Sequence, residues 1–251
     1  AYDETGVGIS ADVTRRYGKT SYVTVGASTD VSRTKELRPE TLSSLGRDIV
    51  TTALLADLSL DRSDDPLDPK AGWRVGVRLE PTLLVGLSSS LTLPYLKLVG
   101  QGSYYQPLDK DRRTVAAVRA RMGWILGGTI PEVPASRRFY AGGGGSVRGY
   151  GYQEVGPRLS DNTPQGGLSL LETSFELRRK LTKQWGVVAF VDAGAVGTGR
   201  IPHGDDLSVG AGVGVRYDLG FGPFRFDVGV PLDRREGDAK FQVYISIGQS
   251  F

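Results

Sequence analysis

The chain has 251 residues, of which 31 are basic and 28 acidic, a formal net charge of +3, and no cysteine. Its basic residues are dispersed among carboxylates, which argues against a nucleic-acid surface, and the lack of cysteine excludes disulfides, thiol nucleophiles and cysteine-ligated metals. A mean hydropathy slightly below zero is ordinary for a soluble protein, but it does not exclude a transmembrane β-barrel, in which only alternate residues face lipid.

Segments that alternate apolar and polar residues recur along the whole chain. Period two over about ten residues is the pattern of a tilted strand long enough to cross a bilayer. The earlier copies are weaker, and their apolar positions run through Val7–Val13, Val23–Val31, Leu54–Leu60, Trp73–Leu79, Leu96–Tyr104, Val118–Trp124, Leu171–Leu177 and Val187–Val191. The last three alternate clearly, and they cover Leu207–Leu219, Phe224–Leu232 and Phe241–Phe251. The sequence therefore predicts an all-β, antiparallel transmembrane β-barrel with about eleven strands here.

The two faces of the last three strands differ in polarity, which predicts their orientation. We expect the apolar face to meet lipid and the polar face to meet a water-filled lumen. The predicted lipid-facing residues are Val209, Val213, Phe224, Phe226, Val243 and Ile245. The predicted luminal residues are Arg216, Arg225, Asp227 and Gln242. The terminal Phe251 continues the apolar face of the last strand.

Short and long connections alternate between the predicted strands. The turns near 18–20, 182–184 and 220–222 are short, and the longer connections lie near 33–47, 128–165, 198–206 and 233–239. Short turns at one rim and long loops at the other are typical of outer-membrane barrels, although a soluble β-sandwich also has alternating strands. Because about eleven strands cannot close a single-chain antiparallel barrel, either one strand is missed or the chain is part of a larger barrel. In the second case an unpaired edge is expected near Thr5–Val13.

The long connection 128–165 is the one irregular segment with a distinctive composition. It contains Gly142–Gly145 followed by Ser146, Val147, Arg148, Gly149, Tyr150, Gly151 and Tyr152. If this loop folds inward, Arg148 can meet Glu176 and Asp192 through charge-assisted hydrogen bonds, because both carboxylates share the polar phase of the next two strands. Phe190 shares that phase and offers a cation–π contact. The alternative is an exposed mobile loop with an incidental arginine.

Residues 138–143 and 146–153 resemble the inward-folded loop of the outer-membrane protein-assembly superfamily, which includes the BamA and TamA insertases and two-partner secretion transporters. Further agreement lies in residues 61–72, 175–176, 191–194 and 209–216. The resemblance spans nearly the whole chain and is closest to the TamA (translocation and assembly module) branch. It implies a sixteen-stranded barrel of which residues 1–251 form the C-terminal part, preceded by polypeptide-transport-associated domains. In this family the loop arginine contacts acidic residues at the positions of Glu176 and Asp192.

The end of the last strand resembles the signal by which outer-membrane proteins are recognised for insertion. We assign Tyr244, Gly248 and Phe251 to this signal and to the lateral seam of the barrel. Glycine weakens strand pairing because it packs no side chain and loses backbone entropy. In the family the seam between the first and last strands can open, so Gly248 is expected to lie at a weak point.

The resemblance implies a bacterial outer-membrane factor that inserts or exports client proteins such as autotransporters, with an inner-membrane-anchored partner subunit. A two-partner secretion pore and a passive porin are the alternatives. We expect no enzymatic activity, cofactor or metal site. The glycine-rich segment lacks the Gly-Lys-Ser/Thr of a phosphate loop, and Ser146 stands one place early for a nucleophile elbow. His203, the single histidine, has no partner at metal-ligand spacing.

Overall fold

The computed structural model describes residues 2–18, 20–37 and 44–251. Its eleven strands form one antiparallel sheet in which every strand lies beside its neighbours in sequence. The strands are β1 (Tyr2–Tyr17), β2 (Ser21–Leu37), β3 (Ser44–Asp61), β4 (Gly72–Gly86), β5 (Thr92–Pro107), β6 (Thr114–Leu126), β7 (Ser169–Lys180), β8 (Trp185–Gly197), β9 (Ser208–Asp218), β10 (Pro223–Pro231) and β11 (Gln242–Ile247). Two 3-10 turns cover Ala135–Arg137 and Gly204–Asp206. The predicted all-β antiparallel fold with eleven strands is confirmed.

The first strands are longer than the sequence predicts. β2 and β3 have 17 and 18 residues, and they cover most of the segment near 33–47 that was predicted to be a loop; residues 38–43 lie outside the described residues. The alternation is hard to see there because both faces are polar, yet Arg33 pairs with Asp48 across the two strands at 2.6 Å. A strand that extends beyond the bilayer meets water on both sides, so its sequence needs no apolar face.

Burial in the last strands follows the predicted register. Val213 and Ile245 are 65% and 64% exposed on the outer face. Arg216, Arg225 and Asp227 are each at most 5% exposed and face the concave side of the sheet. Apolar residues exposed on the outside with charges buried inside are the arrangement of a membrane barrel, and the reverse of a soluble fold. No helix among the described residues is long and apolar enough to span a bilayer.

The sheet is open at both ends. Among the described residues β1 pairs only with β2 and β11 pairs only with β10. The predicted unpaired edge near Thr5–Val13 is therefore present, and every residue of β1 is exposed. A bilayer cannot satisfy the free N–H and C=O groups of such an edge.

The connection between β6 and β7, residues 127–168, turns into the concave side of the sheet. Short antiparallel bridges give the loop its own framework, joining Phe139 to Gly167 and Ala141 to Val155. Its apolar side chains are buried against luminal residues of the strands; this core comprises Ile49, Leu84, Leu93, Tyr95, Ile125, Val133, Phe139, Ala141, Val147, Tyr150, Val155, Leu168, Leu170 and Val196. The loop thus fills part of the lumen with a packed core.

The predicted lipid-facing position of Phe251 is wrong. β11 ends at Ile247, and Gly248 with φ of +91° turns the chain out of the strand. The Phe251 ring then lies in the lumen, 6.4 Å from the Tyr105 ring and with the Arg178 guanidinium 5.2 Å from its centroid. One residue with positive φ breaks the period-two alternation, so the sequence phase of β11 does not extend to residue 251.

Candidate functional site

The luminal carboxylates are placed by three strands whose alternation points them to the same space. Glu176 on β7 lies directly opposite Phe190 on β8, and Asp192 follows two residues later on the same face. Asp227 on β10 pairs across the sheet with Gly214 and Tyr244. All three carboxylates are completely buried. The sheet therefore presents three buried acids toward the tip of the 127–168 loop.

Arg148, at the loop tip, contacts all three acids. Its guanidinium forms a two-point contact with Asp192, from Nε at 2.7 Å and Nη2 at 2.9 Å, while Nη1 donates to Glu176 at 2.6 Å and to Asp227 at 3.2 Å. The backbone N–H of Arg148 donates to Asp192 as well, at 3.0 Å. We call this group of Arg148, Glu176, Asp192 and Asp227 the latch.

The structure brings together every residue that was predicted around Arg148. The guanidinium carbon lies 3.5 Å from the centroid of the Phe190 ring, so the ring covers one face of the cation. Asp227 was predicted to be luminal but not to contact Arg148. The alternation along β10 indicated that Asp227 is luminal. Its contact with Arg148 also depends on how far the loop reaches across the sheet, which alternation does not show.

The latch acids differ in the number of arginines with which they form ion pairs. Glu176 also pairs with Arg178 at 2.8 Å, and Asp227 pairs with Arg216 and with Arg225. Asp192 has Arg148 as its one cationic partner among the described residues. Burial alone would lower the pKa of Arg148, but the Asp192 hydrogen bond and the three carboxylates raise it above its ordinary value. Arg148 is therefore a permanent cation.

Glycines on β9 and β10 allow the loop tip to approach the sheet closely. A Cβ added to Gly210 would lie 1.9 Å from the carbonyl oxygen of Arg148, and one added to Gly229 would lie 2.8 Å from the backbone nitrogen of Gly149. Gly149 itself has φ of +104°, a conformation that side chains disfavour. Gly210 of β9 and Gly229 of β10 therefore make room for the loop tip, which the sequence pattern did not indicate.

The other loop-motif residues have distinct positions. Ser146 accepts a hydrogen bond from Gly142 N–H at 2.8 Å and donates to Glu172, while Val147 is fully buried in the loop core. Tyr150 is buried and donates to the Val209 carbonyl at 3.2 Å. Gly151 N–H donates to a nearby carboxylate within the loop. Tyr152 is 81% exposed and takes no part in the contacts of the tip.

A second charged group holds the base of the loop. Arg138 donates to the carbonyls of Ile130, Val133 and Gln165, and its Nη2 pairs with Glu36 of β2 at 2.7 Å. Glu36 also accepts from Arg47 of β3 and from a loop backbone N–H. The base of the loop is thus attached to the β2–β3 hairpin and its tip to β7, β8 and β10.

The latch geometry holds the tip of the loop against the sheet. The latch acids are saturated by arginines, and none is paired with a nucleophile. Within the described ranges, no group of three or more His, Asp or Glu side chains is placed to hold a metal ion. Of the predicted seam residues, Tyr244 faces the loop from β11, whereas Gly248 and Phe251 have left the strand. Buried ion pairs of this kind specify one arrangement more than they stabilise it.

Comparisons with known proteins agree on one family. The family model described as the Omp85 superfamily domain matches residues 1–251. The outer membrane protein assembly factor BamA of Neisseria meningitidis serogroup B is 26% identical over 226 residues, which cover 76% of this chain and 28% of that protein. BamA of Nitratidesulfovibrio vulgaris is 30% identical over 142 residues, covering 53% of this chain and 18% of that protein.

Among solved structures, BamA from Haemophilus ducreyi lacking POTRA domains 1–3 superposes with a TM-score of 0.79 at 19% sequence identity. The match covers 96% of this chain and 54% of that chain, so it demonstrates a shared fold. The chain thus spans little more than half of that structure, and under a third of either curated relative.

Proposed function

This chain belongs to the Omp85 superfamily, and we propose that it forms the C-terminal part of a barrel that assembles client proteins into, or moves them across, the bacterial outer membrane. The observation that carries the proposal is the latch. A loop whose tip is held by a buried four-residue charge group occupies the lumen of an open-edged sheet. The outward apolar face and the family both agree with an outer-membrane location.

The proposed activity is pairing of backbones, with no covalent step. An unpaired strand edge in a bilayer is a template for another strand, because each new ladder hydrogen bond satisfies groups that lipid cannot. Among the described residues β11 pairs with β10 alone, over a ladder of six residue pairs. Such a strand is well suited to exchange partners. The docked loop, in this proposal, holds the neighbouring strands in the arrangement that receives the client.

The inward loop favours this proposal over a passive porin. A porin conducts through a water-filled lumen, whereas here the loop places a buried apolar core inside the concave surface. A two-partner secretion pore for one exported polypeptide is the other alternative. Within the family we propose the TamA branch, with autotransporter clients and an inner-membrane-anchored partner subunit, on the strength of the motif around Arg148 and the segments that agree with it.

The test uses the full-length protein reconstituted in liposomes. An unfolded outer-membrane barrel is added from urea, and its insertion is followed by resistance to protease. We expect faster insertion with the wild-type protein than with empty liposomes, and loss of this gain in Arg148→Ala. Lys183→Gln, in an exposed turn of the opposite rim, is the matched charge control. Swelling of the liposomes in small solutes without any gain in client insertion would support a porin and refute the proposal.

The branch assignment needs a separate measurement in cells. In a strain lacking the full-length protein we expect surface display of an autotransporter to fall while the amounts of ordinary porins stay unchanged. Equal loss of both client types would contradict the TamA assignment and leave a general assembly factor. Loss of one dedicated exported polypeptide alone would favour the two-partner secretion pore.

A further inference from the structure

Tyr244 of β11 is bonded directly to the tip of the loop. Its hydroxyl accepts the backbone N–H of Gly149 at 2.9 Å and donates to the carbonyl of Tyr150 at 2.8 Å. Its ring lies against the glycine-rich segment, since a Cβ added to Gly144 would lie 2.9 Å from Tyr244 Cδ1. One side chain of the last strand therefore binds both residues that follow Arg148.

Strand β11 itself has a short ladder, and the residues before and after it make their own contacts. It pairs with β10 over six residues, from Phe224↔Ile247 to Gly229↔Gln242, and among the described residues its other edge has no partner. Within the same part of the chain, Tyr244 is also the one side chain of β11 that forms a hydrogen bond with the loop. The flanking residues are held separately, by Asp238 to Arg158 at 2.6 Å and by Gln249 to Asp68 at 2.9 Å, so the hydroxyl is what ties the strand itself to the loop tip.

The neighbouring strand is tied to the loop through a different group. Arg225 of β10 donates to the carbonyl of Gly144 at 3.0 Å, and the adjacent acid of that strand, Asp227, belongs to the latch. β10 also keeps a nine-residue ladder with β9. Removing the Tyr244 hydroxyl therefore frees β11 selectively, because the contacts that hold β10 to the loop and to β9 remain.

We propose that Tyr244 is a positioning residue that couples docking of the loop to the position of β11. When Arg148 is seated among its acids, Gly149 and Tyr150 present the N–H and C=O that hold Tyr244, and the last strand is kept against the loop. When the tip leaves, the hydroxyl loses both partners, and β11 keeps only its short ladder and the contacts of the residues that flank it. Such coupling is reciprocal, so moving β11 also weakens the seat of Arg148.

This proposal deepens the proposed function, because it says how the state of the loop reaches the strand that receives a client. It is measurable without any client, however. Hydrogen–deuterium exchange on the full-length protein in lipid nanodiscs reports the opening of each strand separately. Failure of client insertion together with intact coupling would refute the assembly function alone, and the reverse result would refute the coupling alone.

The expected result is specific to one strand. Tyr244→Phe removes two hydrogen bonds while keeping the ring, so the amides of 242–247 should exchange about five- to thirtyfold faster, at about 1 kcal/mol for each bond. The amides of β10 should change less than twofold. Tyr217→Phe is the matched control, because Tyr217 lies on β9 at the outer face and its hydroxyl makes no hydrogen bond among the described residues.

The decisive experiment combines two substitutions. Arg148→Ala should speed exchange in β11 when Tyr244 is present and have no further effect on β11 in a Tyr244→Phe background. The chain has no native cysteine, so spin labels at Gly145→Cys and Ile245→Cys can report the loop-to-strand distance in the same variants. An Arg148→Ala effect on β11 that is equal in both backgrounds, or absent in both, would overturn the proposal.

Discussion

Replacing Arg148 by alanine tests the latch most directly, because the three acids do not depend on it equally. Glu176 keeps Arg178, and Asp227 keeps two other arginines. Asp192 loses its one cationic partner among the described residues and retains only the backbone N–H of residue 148. The variant therefore leaves one buried carboxylate without a cation, rather than three.

Breaking a buried pair by removing one partner costs about 3–5 kcal/mol. The lower end applies here, since the backbone hydrogen bond to Asp192 remains and the other two acids stay paired. A loss of about 3 kcal/mol in the docking free energy of the loop corresponds to roughly hundredfold faster exchange of the amides of 142–152. Hydrogen–deuterium exchange on the full-length protein measures this value, and the strands β1–β5 provide the internal reference.

Two further variants test whether Arg148 and Asp192 are energetically coupled. Asp192→Asn keeps the shape of the side chain and leaves Arg148 with Glu176 and Asp227, so we expect a smaller effect, about tenfold. Arg148→Ala combined with Asp192→Ala removes both the cation and the acid that would be unpaired, and should cost less than the sum of the single variants. An additive double variant would show that Arg148 and Asp192 are not energetically coupled, and the latch would be refuted.

Three further outcomes follow from other contacts. Gly210→Ala should displace the loop tip and speed amide exchange at 146–150, because its Cβ would lie 1.9 Å from the Arg148 carbonyl oxygen, whereas Gly100→Ala, with open space around it, should change nothing. Val213→Arg on the lipid-facing side should lower the free energy of unfolding in lipid by about 2–4 kcal/mol, as measured by denaturant titration; an unchanged value would contradict the register. The pKa of Arg148 is raised above the ordinary pKa of arginine, so its charge stabilises the latch fully at any pH below that ordinary pKa and is lost only at still higher pH. A spin label at Gly145→Cys should therefore show the same mobility at pH 7 and pH 10. Release of the loop by pH 10 would contradict the buried ion pair.

The sequence could predict those latch residues whose orientation depends on strand alternation alone. Glu176 and Asp192 lie in strands with clear period two, so their luminal phase follows from the lipid-facing neighbours. The contact of Asp227 with Arg148 could not be predicted this way. It depends on the close packing of the loop on Gly210 and Gly229, and a glycine on the polar face of a strand does not reveal what will lie against it.

The errors of the sequence interpretation have local physical causes. Phe251 was placed on the lipid face because the apolar phase of β11 was extended through Gly248, where a positive φ ends it. The extents of β2 and β3 were underestimated because hydrophobic alternation identifies only the part of a strand that has one apolar face. Both errors arise where a segment lacks one continuous apolar face, because period two carries little information there.

The two attachments of the loop lie far apart in the sheet, and this separation constrains how the loop can move. The base is held by Arg138 to Glu36 of β2, and the tip is held by Arg148 to acids of β7, β8 and β10. The loop therefore spans the lumen between the early and the late strands of the open sheet. Because separate ion pairs hold its two ends, we expect release of Arg148 to loosen the tip at β11 while the base stays attached to β2. Under the proposed function, such a motion would make the last strand available for pairing while the rest of the loop still fills the lumen.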